Sequence, residues 1–126
     1  MKTRTLACAA VLLFSSIAVA QAPGIKRTPL QKSDSGPNQE TIMGIAEISA
    51  GSAAGRHTHF GIEVGYVLEG TSILEIDGEA PKNLKAGDSY VIPAGKIHDA
   101  KAGPGGAKVL ATYVVEKGKP LATPAP

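Results

Sequence analysis

From Glu40 to Glu116 the chain is a succession of short runs of β-forming residues separated by turn residues. No window in this stretch has apolar residues at the 3.6-residue spacing of an amphipathic helix. Gly and Pro, which favour turns, are frequent, with 15 Gly and 9 Pro in 126 residues. Short strands at such spacing are typical of antiparallel sandwiches and barrels. The sequence therefore predicts one all-β domain over residues 40–117.

Six segments of this domain are predicted to be strands, because each is rich in β-forming residues and is bounded by turn residues. They are Thr41–Ser49, Val64–Leu68, Thr71–Ile76, Ser89–Ile92, Ile97–Lys101 and Lys108–Glu116. Glu69-Gly70 and Asp77-Gly78 are predicted to be hairpin turns, and Gly103–Gly106 is predicted to be a loop.

The two ends of the chain lack this pattern. Residues 21–39 contain several Pro and Gly residues and no sustained period, so they are predicted to form an extended N-terminal arm with no fold of its own. Residues 118–126 contain three prolines and are predicted to form a flexible tail.

The first twenty residues have the three parts of a secretory signal peptide. Lys2 and Arg4 give a basic start, an apolar run follows, and Ala18–Ala20 has the A-x-A pattern of a cleavage site. The apolar run, Leu6–Ala20, is shorter than the roughly 20 residues that span a bilayer. The sequence therefore predicts cleavage after Ala20 and export to the periplasm or the medium, with no membrane attachment afterwards.

Removing the predicted leader changes both the charge and the cysteine content. The full chain has 13 basic and 11 acidic side chains, and residues 1–20 contain Lys2 and Arg4 but no acid, so 11 of each remain. A domain without net charge has no basic footprint for a nucleic-acid backbone, so DNA and RNA are not expected as partners. The only cysteine, Cys8, also lies in the leader, so no disulfide is predicted. A closed barrel, a dimer interface or a bound metal must then supply stability.

The chain has three histidines, and two of them lie four and six residues before a glutamate. Alternate residues of a strand share a face, so His57, His59 and Glu63 have the same parity. On a straight strand His59 and Glu63 would be roughly 13 Å apart, too far to share an ion at ligand distances of about 2.0–2.2 Å. The chain must turn between them if they bind one metal, and Gly61 is suited to that turn. His98, on another strand, could supply a third imidazole.

Two motifs resemble those of the cupin superfamily, in particular of small single-domain bacterial cupins. The first is Gly51-x5-His57-x-His59-x3-Glu63-x6-Gly70, and the second is Gly87-x5-Pro93-x-Gly95-x2-His98. The second motif often ends in Asn in the family, where this chain has Ala102. The resemblance implies a cupin-type antiparallel jelly-roll β-barrel that forms a homodimer. It also implies a metal site whose ligands are His57, His59, Glu63 and His98.

Three imidazoles and one carboxylate suit a divalent transition metal, and iron, manganese, nickel, copper and zinc all stay open. Four protein ligands leave up to two octahedral positions for a bidentate anionic substrate, or for a substrate beside dioxygen. The sequence therefore predicts a mononuclear metal-dependent enzyme, of the dioxygenase or oxidoreductase type, that acts on a small anionic organic molecule. The alternatives are a metal-assisted lyase or isomerase, and a non-catalytic ligand-binding or scaffold protein with a structural metal.

Three side chains are expected to line the substrate pocket. Tyr90 and Ile92 lie on the strand that leads to the second motif, and Phe60 lies between two of the metal-ligand positions. No acid–base pair is evident among the pocket residues, so the sequence does not separate catalysis from ligand binding.

Overall fold

The computed structural model describes residues 23–126, so the predicted leader lies outside the described residues. The described chain contains eight strands and no helix. They are β1 (Ile25–Gly36), β2 (Gln39–Ile48), β3 (His57–Thr58), β4 (Gly61–Ile76), β5 (Lys82–Lys85), β6 (Ser89–Ile92), β7 (His98–Glu116) and β8 (Thr123–Pro124). The predicted all-β class is confirmed. Across residues 23–126 no helical segment has the length and hydropathy that crossing a membrane requires.

All strand pairs are antiparallel and belong to one curled sheet, which forms a jelly-roll barrel. The main path through the sheet is β1-β2-β7-β3-β8, and β4 pairs with β5, β6 and β7. β7 is the longest strand, with 19 residues, and it pairs with β2, β3 and β4. The barrel is therefore organised around the β4–β7 pair.

Two predicted interruptions between strands are wrong. In both places the turn-forming residues lie in bulges within a long strand. The predicted turn Glu69-Gly70 lies within β4, where the register against β7 shifts and Gly70 has a φ of 76°. The predicted loop Gly103–Gly106 lies within β7, and the register against β4 passes directly from Ala107 to Ala102. The short strand β5 was not predicted from the sequence.

The segment predicted to be an arm without its own fold forms β1. This strand pairs with β2 from Ile25 opposite Ile48 to Gly36 opposite Gln39, and it lies at the edge of the sheet. Pro29 lies at a register shift, as expected for a residue that lacks an N–H for the ladder. Ile25 is buried in a core cluster with Ile48, so this segment contributes to the barrel interior.

The segment predicted to be a flexible tail packs against the barrel. β8 pairs with β3, with Thr123 opposite Thr58 and Pro124 opposite His57. Leu121 packs against the core cluster that contains Tyr113. The proline count did not indicate this, because the segment is held by contacts with residues far away in sequence. We call residues 118–126 the C-terminal strap.

The core consists of three clusters of apolar side chains. Ile25, Ile48, Ala102 and Ala107 form one, Leu74, Ile76 and Ile92 the second, and Ala111, Tyr113 and Val115 the third. In β4 the buried residues alternate with exposed ones, so that Glu63, Gly65 and Val67 are buried. Alternation therefore directs a carboxylate into an otherwise apolar interior.

Candidate metal centre

The structure brings His57, His59, Glu63 and His98 together inside the barrel. One potential ligand atom of each residue lies within 4.8 Å of those of the others. His57 is the cross-strand partner of His98, which places the β3 and β7 ligands side by side. His59, Glu63 and His98 are buried, with at most 5% of their surface exposed.

The chain turns between His59 and Glu63, as the distance argument requires. The bend is at Phe60, and β4 begins at the next residue. A Cβ atom on Gly61 would lie 2.0 Å from the carbonyl oxygen of Val114 on β7. Gly61 does not have a positive φ, so glycine is needed for close backbone approach and not for an unusual conformation.

Each histidine is oriented by a hydrogen bond from Nδ1 to a backbone carbonyl. The acceptors are Gly55 O for His57 at 2.6 Å, Leu121 O for His59 at 2.5 Å and Lys96 O for His98 at 2.9 Å. A carbonyl oxygen only accepts, so Nδ1 carries the proton in all three rings. In the neutral rings Nε2 then has a free lone pair, as a metal ligand requires.

The Nε2 atoms and the carboxylate form an acceptor-rich cluster. Glu63 Oε2 lies 2.9 Å from His59 Nε2 and 3.5 Å from His98 Nε2, yet both buried nitrogens lack a hydrogen-bond partner of suitable geometry. Acceptors this close need a proton or a cation between them. Three imidazole nitrogens and one carboxylate are a common donor set for a divalent transition metal, so the four residues fit such an ion.

The pKa shifts of His57 and Glu63 favour metal binding at neutral pH. For His98, burial acts to lower the pKa, but contact with Glu63 and the Lys96 carbonyl raises it. Burial lowers the pKa of His57 to about 4. Burial opposes ionisation of Glu63, but its contacts with His59, His98 and Tyr90 outweigh that effect and lower its pKa to about 2. His57 is therefore neutral and Glu63 is charged, which are the forms that bind metals.

Two tyrosines lie beside the cluster. Tyr90 donates a hydrogen bond from its hydroxyl to Glu63 Oε1 at 2.8 Å, and the ring of Tyr113 is 4.9 Å from that of His59. Burial raises the pKa of both phenols above the usual value, and the Glu63 charge adds to this effect. Both groups therefore hold their protons at neutral pH.

A small cavity adjoins the cluster inside the barrel. Its volume is about 40 Å³, and its polar lining consists of Arg27, His57, Glu63, Tyr90, His98 and Tyr113. The structure places Tyr90 and Ile92, both expected pocket residues, in this lining. Tyr113 and Arg27 also line it, and neither was predicted from the sequence as a pocket residue. For Arg27 the available signal is its spacing of two from Ile25, which becomes informative only once residues 25–36 are known to form a strand.

Phe60 is not among the residues that line this cavity. Its side chain is 44% exposed, and Lys119 Nζ lies 5.3 Å from the ring centroid. The physical reason is the bend at Phe60 between β3 and β4, which leaves its side chain exposed although His59 and Glu63 on either side are buried. The expectation that Phe60 lines the pocket is corrected accordingly.

The C-terminal strap supports two of the candidate metal ligands. It supplies the Leu121 carbonyl that orients His59 and the β8 ladder that holds His57. Arg56 fastens its end, through hydrogen bonds from Nε to Pro126 O at 2.6 Å and from Ala125 N to Arg56 O at 3.0 Å. The buried Asp99 supports His57 in a similar way. It accepts a hydrogen bond at 2.9 Å from the backbone N of Gly55, the residue whose carbonyl orients His57.

Comparisons with known proteins agree with this geometry. Residues 44–119 match the Cupin domain family. A curated relative, dimethylsulfoniopropionate lyase DddW from Ruegeria pomeroyi, is 35% identical over 80 residues, which is 64% of this chain and 51% of the relative. The chain thus spans about half the length of that relative.

Solved structures share the fold. KdgF from Halomonas sp. has a TM-score of 0.64 at 25% identity, over 76% of this chain and 84% of that one. The dimethylsulfoniopropionate lyase DddQ from Ruegeria pomeroyi has a TM-score of 0.68 at 18% identity, over 80% of this chain and 51% of that one. The second likeness is one of fold alone.

Proposed function

Because the chain belongs to the cupin superfamily, we propose that it is a metal-dependent enzyme that acts on a small anionic organic molecule. The observation that carries this proposal is the convergence of three imidazoles and one carboxylate beside a cavity with two phenols. The four ligands would be His57, His59, Glu63 and His98. A bound iron, manganese, nickel, copper or zinc ion would supply Lewis-acid chemistry, and all of these except zinc could also supply redox chemistry.

The residues around the cluster favour proton transfer. Tyr90 and Tyr113 line the cavity, and the Tyr90 hydroxyl already donates to Glu63. A phenol beside a cation can give its proton to a leaving group, and the phenolate that a cation stabilises can accept a proton from a substrate held in the same cavity. These two groups are the acid–base candidates of the cavity, and of the two only Tyr90 was expected in the pocket from the sequence. Together with the relative that is a lyase, they support a lyase-type elimination as the reaction.

The dioxygenase or oxidoreductase reaction is the second candidate. It is favoured by the donor set, because four protein ligands leave room for substrate and dioxygen on one octahedral ion. The proposed setting is outside the cytoplasm, on the basis of the leader predicted at residues 1–20.

A turnover screen distinguishes these functions. The purified protein is loaded separately with Fe²⁺, Mn²⁺, Ni²⁺, Cu²⁺ and Zn²⁺. Each form is offered carboxylates with a β leaving group, and enediols, catechols and diketones under oxygen. Alkene release is the readout for elimination, and oxygen uptake is the readout for oxygenation. Tyr90→Phe and Tyr113→Phe should keep the metal but slow elimination by about 10²-fold or more. Tight ligand binding without any turnover would contradict the proposal and favour a capture protein.

We also propose a homodimer, formed through an exposed apolar face on the outside of the barrel. The face comprises Ile62, Val64, Tyr66 and Leu68 on β4 and Val91 on β6, each 38–47% exposed. Val91 is the cross-strand partner of Val64, so the side chains are contiguous. On the adjacent β7 the partners of Ile62, Val64 and Tyr66 are Val114, Thr112 and Leu110. An uncharged patch of this kind is self-complementary and suits an isologous contact between two copies.

A charge in this face is expected to separate the protomers. Val64→Asp would bury an unpaired carboxylate at the centre of the interface, which is costly, so light scattering after size exclusion should show a monomer. Ile73→Asp is the matched control, because Ile73 is 41% exposed on the other half of β4, and it should remain dimeric. A wild-type protein that is monomeric at micromolar concentration would contradict the proposed dimer.

A further inference from the structure

Gly65 is a buried glycine of β4, and it lies directly opposite Tyr90 on β6. Glycine inside a strand weakens that strand, because it has no side chain to pack and loses more backbone entropy on folding than other residues. The φ of Gly65 is not positive, so the backbone conformation does not require glycine. The absence of a side chain at this position therefore has another cause.

The ring of Tyr90 occupies the space that a side chain at residue 65 would fill. A Cβ atom on Gly65 would lie 2.1 Å from Cζ, 2.4 Å from Cε1 and 2.4 Å from Oη of Tyr90, the nearest atoms outside the adjoining chain. Unbonded carbon atoms are in favourable contact only at about 3.5–4.0 Å. The phenol therefore lies directly against the backbone of Gly65, and only glycine leaves room for it.

From this position the Tyr90 hydroxyl reaches a candidate metal ligand. It donates a hydrogen bond to Glu63 Oε1 at 2.8 Å. The other carboxylate oxygen, Oε2, lies 2.9 Å from His59 Nε2 and 3.5 Å from His98 Nε2. The hydrogen bond from Tyr90 thus occupies one oxygen of Glu63 and directs the other towards the imidazoles.

We propose that Gly65 is a positioning residue of the metal centre, which acts through Tyr90 on the orientation of Glu63. This inference rests on the proposed function, because it requires that the four-residue cluster holds a metal. A methyl group at residue 65 would collide with the end of a side chain, whereas a methyl group at Gly61 would collide with backbone. Gly65→Ala should therefore displace the Tyr90 hydroxyl from Glu63 and leave the strands paired.

Tyrosine NMR tests whether the phenol moves. The chain has three tyrosines, so protein labelled with ¹³C at tyrosine Cζ should give three resonances, of which Tyr90→Phe identifies the one from Tyr90. Gly65→Ala should shift this resonance, because the phenol loses its hydrogen bond. Gly105→Ala is the matched control, since no atom lies within 4 Å of its added Cβ, and it should leave the resonance in place.

Chelator competition for Zn²⁺ tests the effect on the metal ligands. Gly65→Ala and Tyr90→Phe should each weaken binding about tenfold or more, the usual effect of losing a group that orients a ligand, and both should still take up one equivalent from excess Zn²⁺. The double variant should bind about as weakly as either single variant, because both changes remove the same hydrogen bond. Gly105→Ala should bind Zn²⁺ like the wild type.

Thermal unfolding without the ring covers the case in which Gly65→Ala lowers stability. Tyr90→Ala makes room for the added methyl group, so Gly65→Ala should change the Tm of this variant little, even if it lowers that of the wild type. An equal decrease in Tm with and without the ring would overturn the inference, because the methyl group would then collide with something other than Tyr90.

The outcomes separate this inference from the proposed function. An unmoved Tyr90 resonance in Gly65→Ala would overturn the role of Gly65, as would losses of Zn²⁺ affinity that add up in the double variant. A wild type that binds no metal would instead contradict the proposed function. The Tyr90 resonance and the Tm comparison would then still decide whether Gly65 positions Tyr90.

Discussion

A chain that ends at Lys117 is expected to bind its metal about 10- to 100-fold more weakly than the full-length chain, the usual effect of losing a group that orients a ligand. The C-terminal strap supplies the carbonyl of Leu121 that accepts from His59 Nδ1, and β8 pairs with the strand that contains His57. Without them two of the three imidazoles lose a positioning contact. Chelator competition at equilibrium measures the affinity.

Two further variants separate orientation of the ligands from general stability. A chain that ends at Ala122 keeps the Leu121 carbonyl and loses β8, so its metal affinity should be intermediate. Leu121→Ala keeps the carbonyl and loses the packing against Tyr113, so its main effect should be on thermal stability. Equal metal affinity in all of these chains would contradict the role of the strap.

Gly61→Ala is expected to lower the free energy of unfolding by about 3 kcal/mol, the upper part of the usual cost of overpacking. A Cβ atom at this position would lie 2.0 Å from Val114 O and 2.6 Å from Val115 Cα. Both atoms belong to the backbone of β7, so no side-chain rotation relieves the clash. The start of β4 would move away from β7, and Glu63 would move with it.

Thermal and urea unfolding measure this effect. A loss of about 3 kcal/mol corresponds to a decrease in Tm of roughly 15 °C for a domain of this size. Gly105→Ala is the control, because residue 105 has no positive φ and no atom lies within 4 Å of the added Cβ. Equal Tm values for the two variants would contradict the close approach of β4 and β7.

The four residues of the candidate metal cluster could be predicted because their types and spacing are visible in short stretches of sequence. Histidine and glutamate spacing, strand parity and the length of a bond to a metal together required a turn after His59 and a third ligand from another strand. The structure has that turn, and it brings His98 beside His57. Phe60 was expected in the pocket because it lies between two ligand positions, but the bend at this residue leaves its side chain exposed.

The edge strands and bulges were harder to predict, because their structure depends on pairing with strands far away in sequence. β1 and the C-terminal strap are rich in Pro and polar residues, and they become ordered only through partners far away in sequence, β2 for the first and β3 for the second. Gly70 and Gly103–Gly106 resemble turns locally, yet the neighbouring strands continue past them, so they form bulges. Arg27 was missed for the same reason, since only the pairing of β1 turns it towards the cavity.

The most direct test of the account is the metal content of the purified protein, measured by mass spectrometry. The wild type should contain close to one equivalent of a first-row transition metal per chain, and His59→Ala combined with Glu63→Ala should contain almost none. Glu69→Ala, which removes an exposed carboxylate from the same strand, should retain the wild-type content. A double variant that keeps stoichiometric metal, or a wild type that binds none when offered each metal, would contradict the proposed centre.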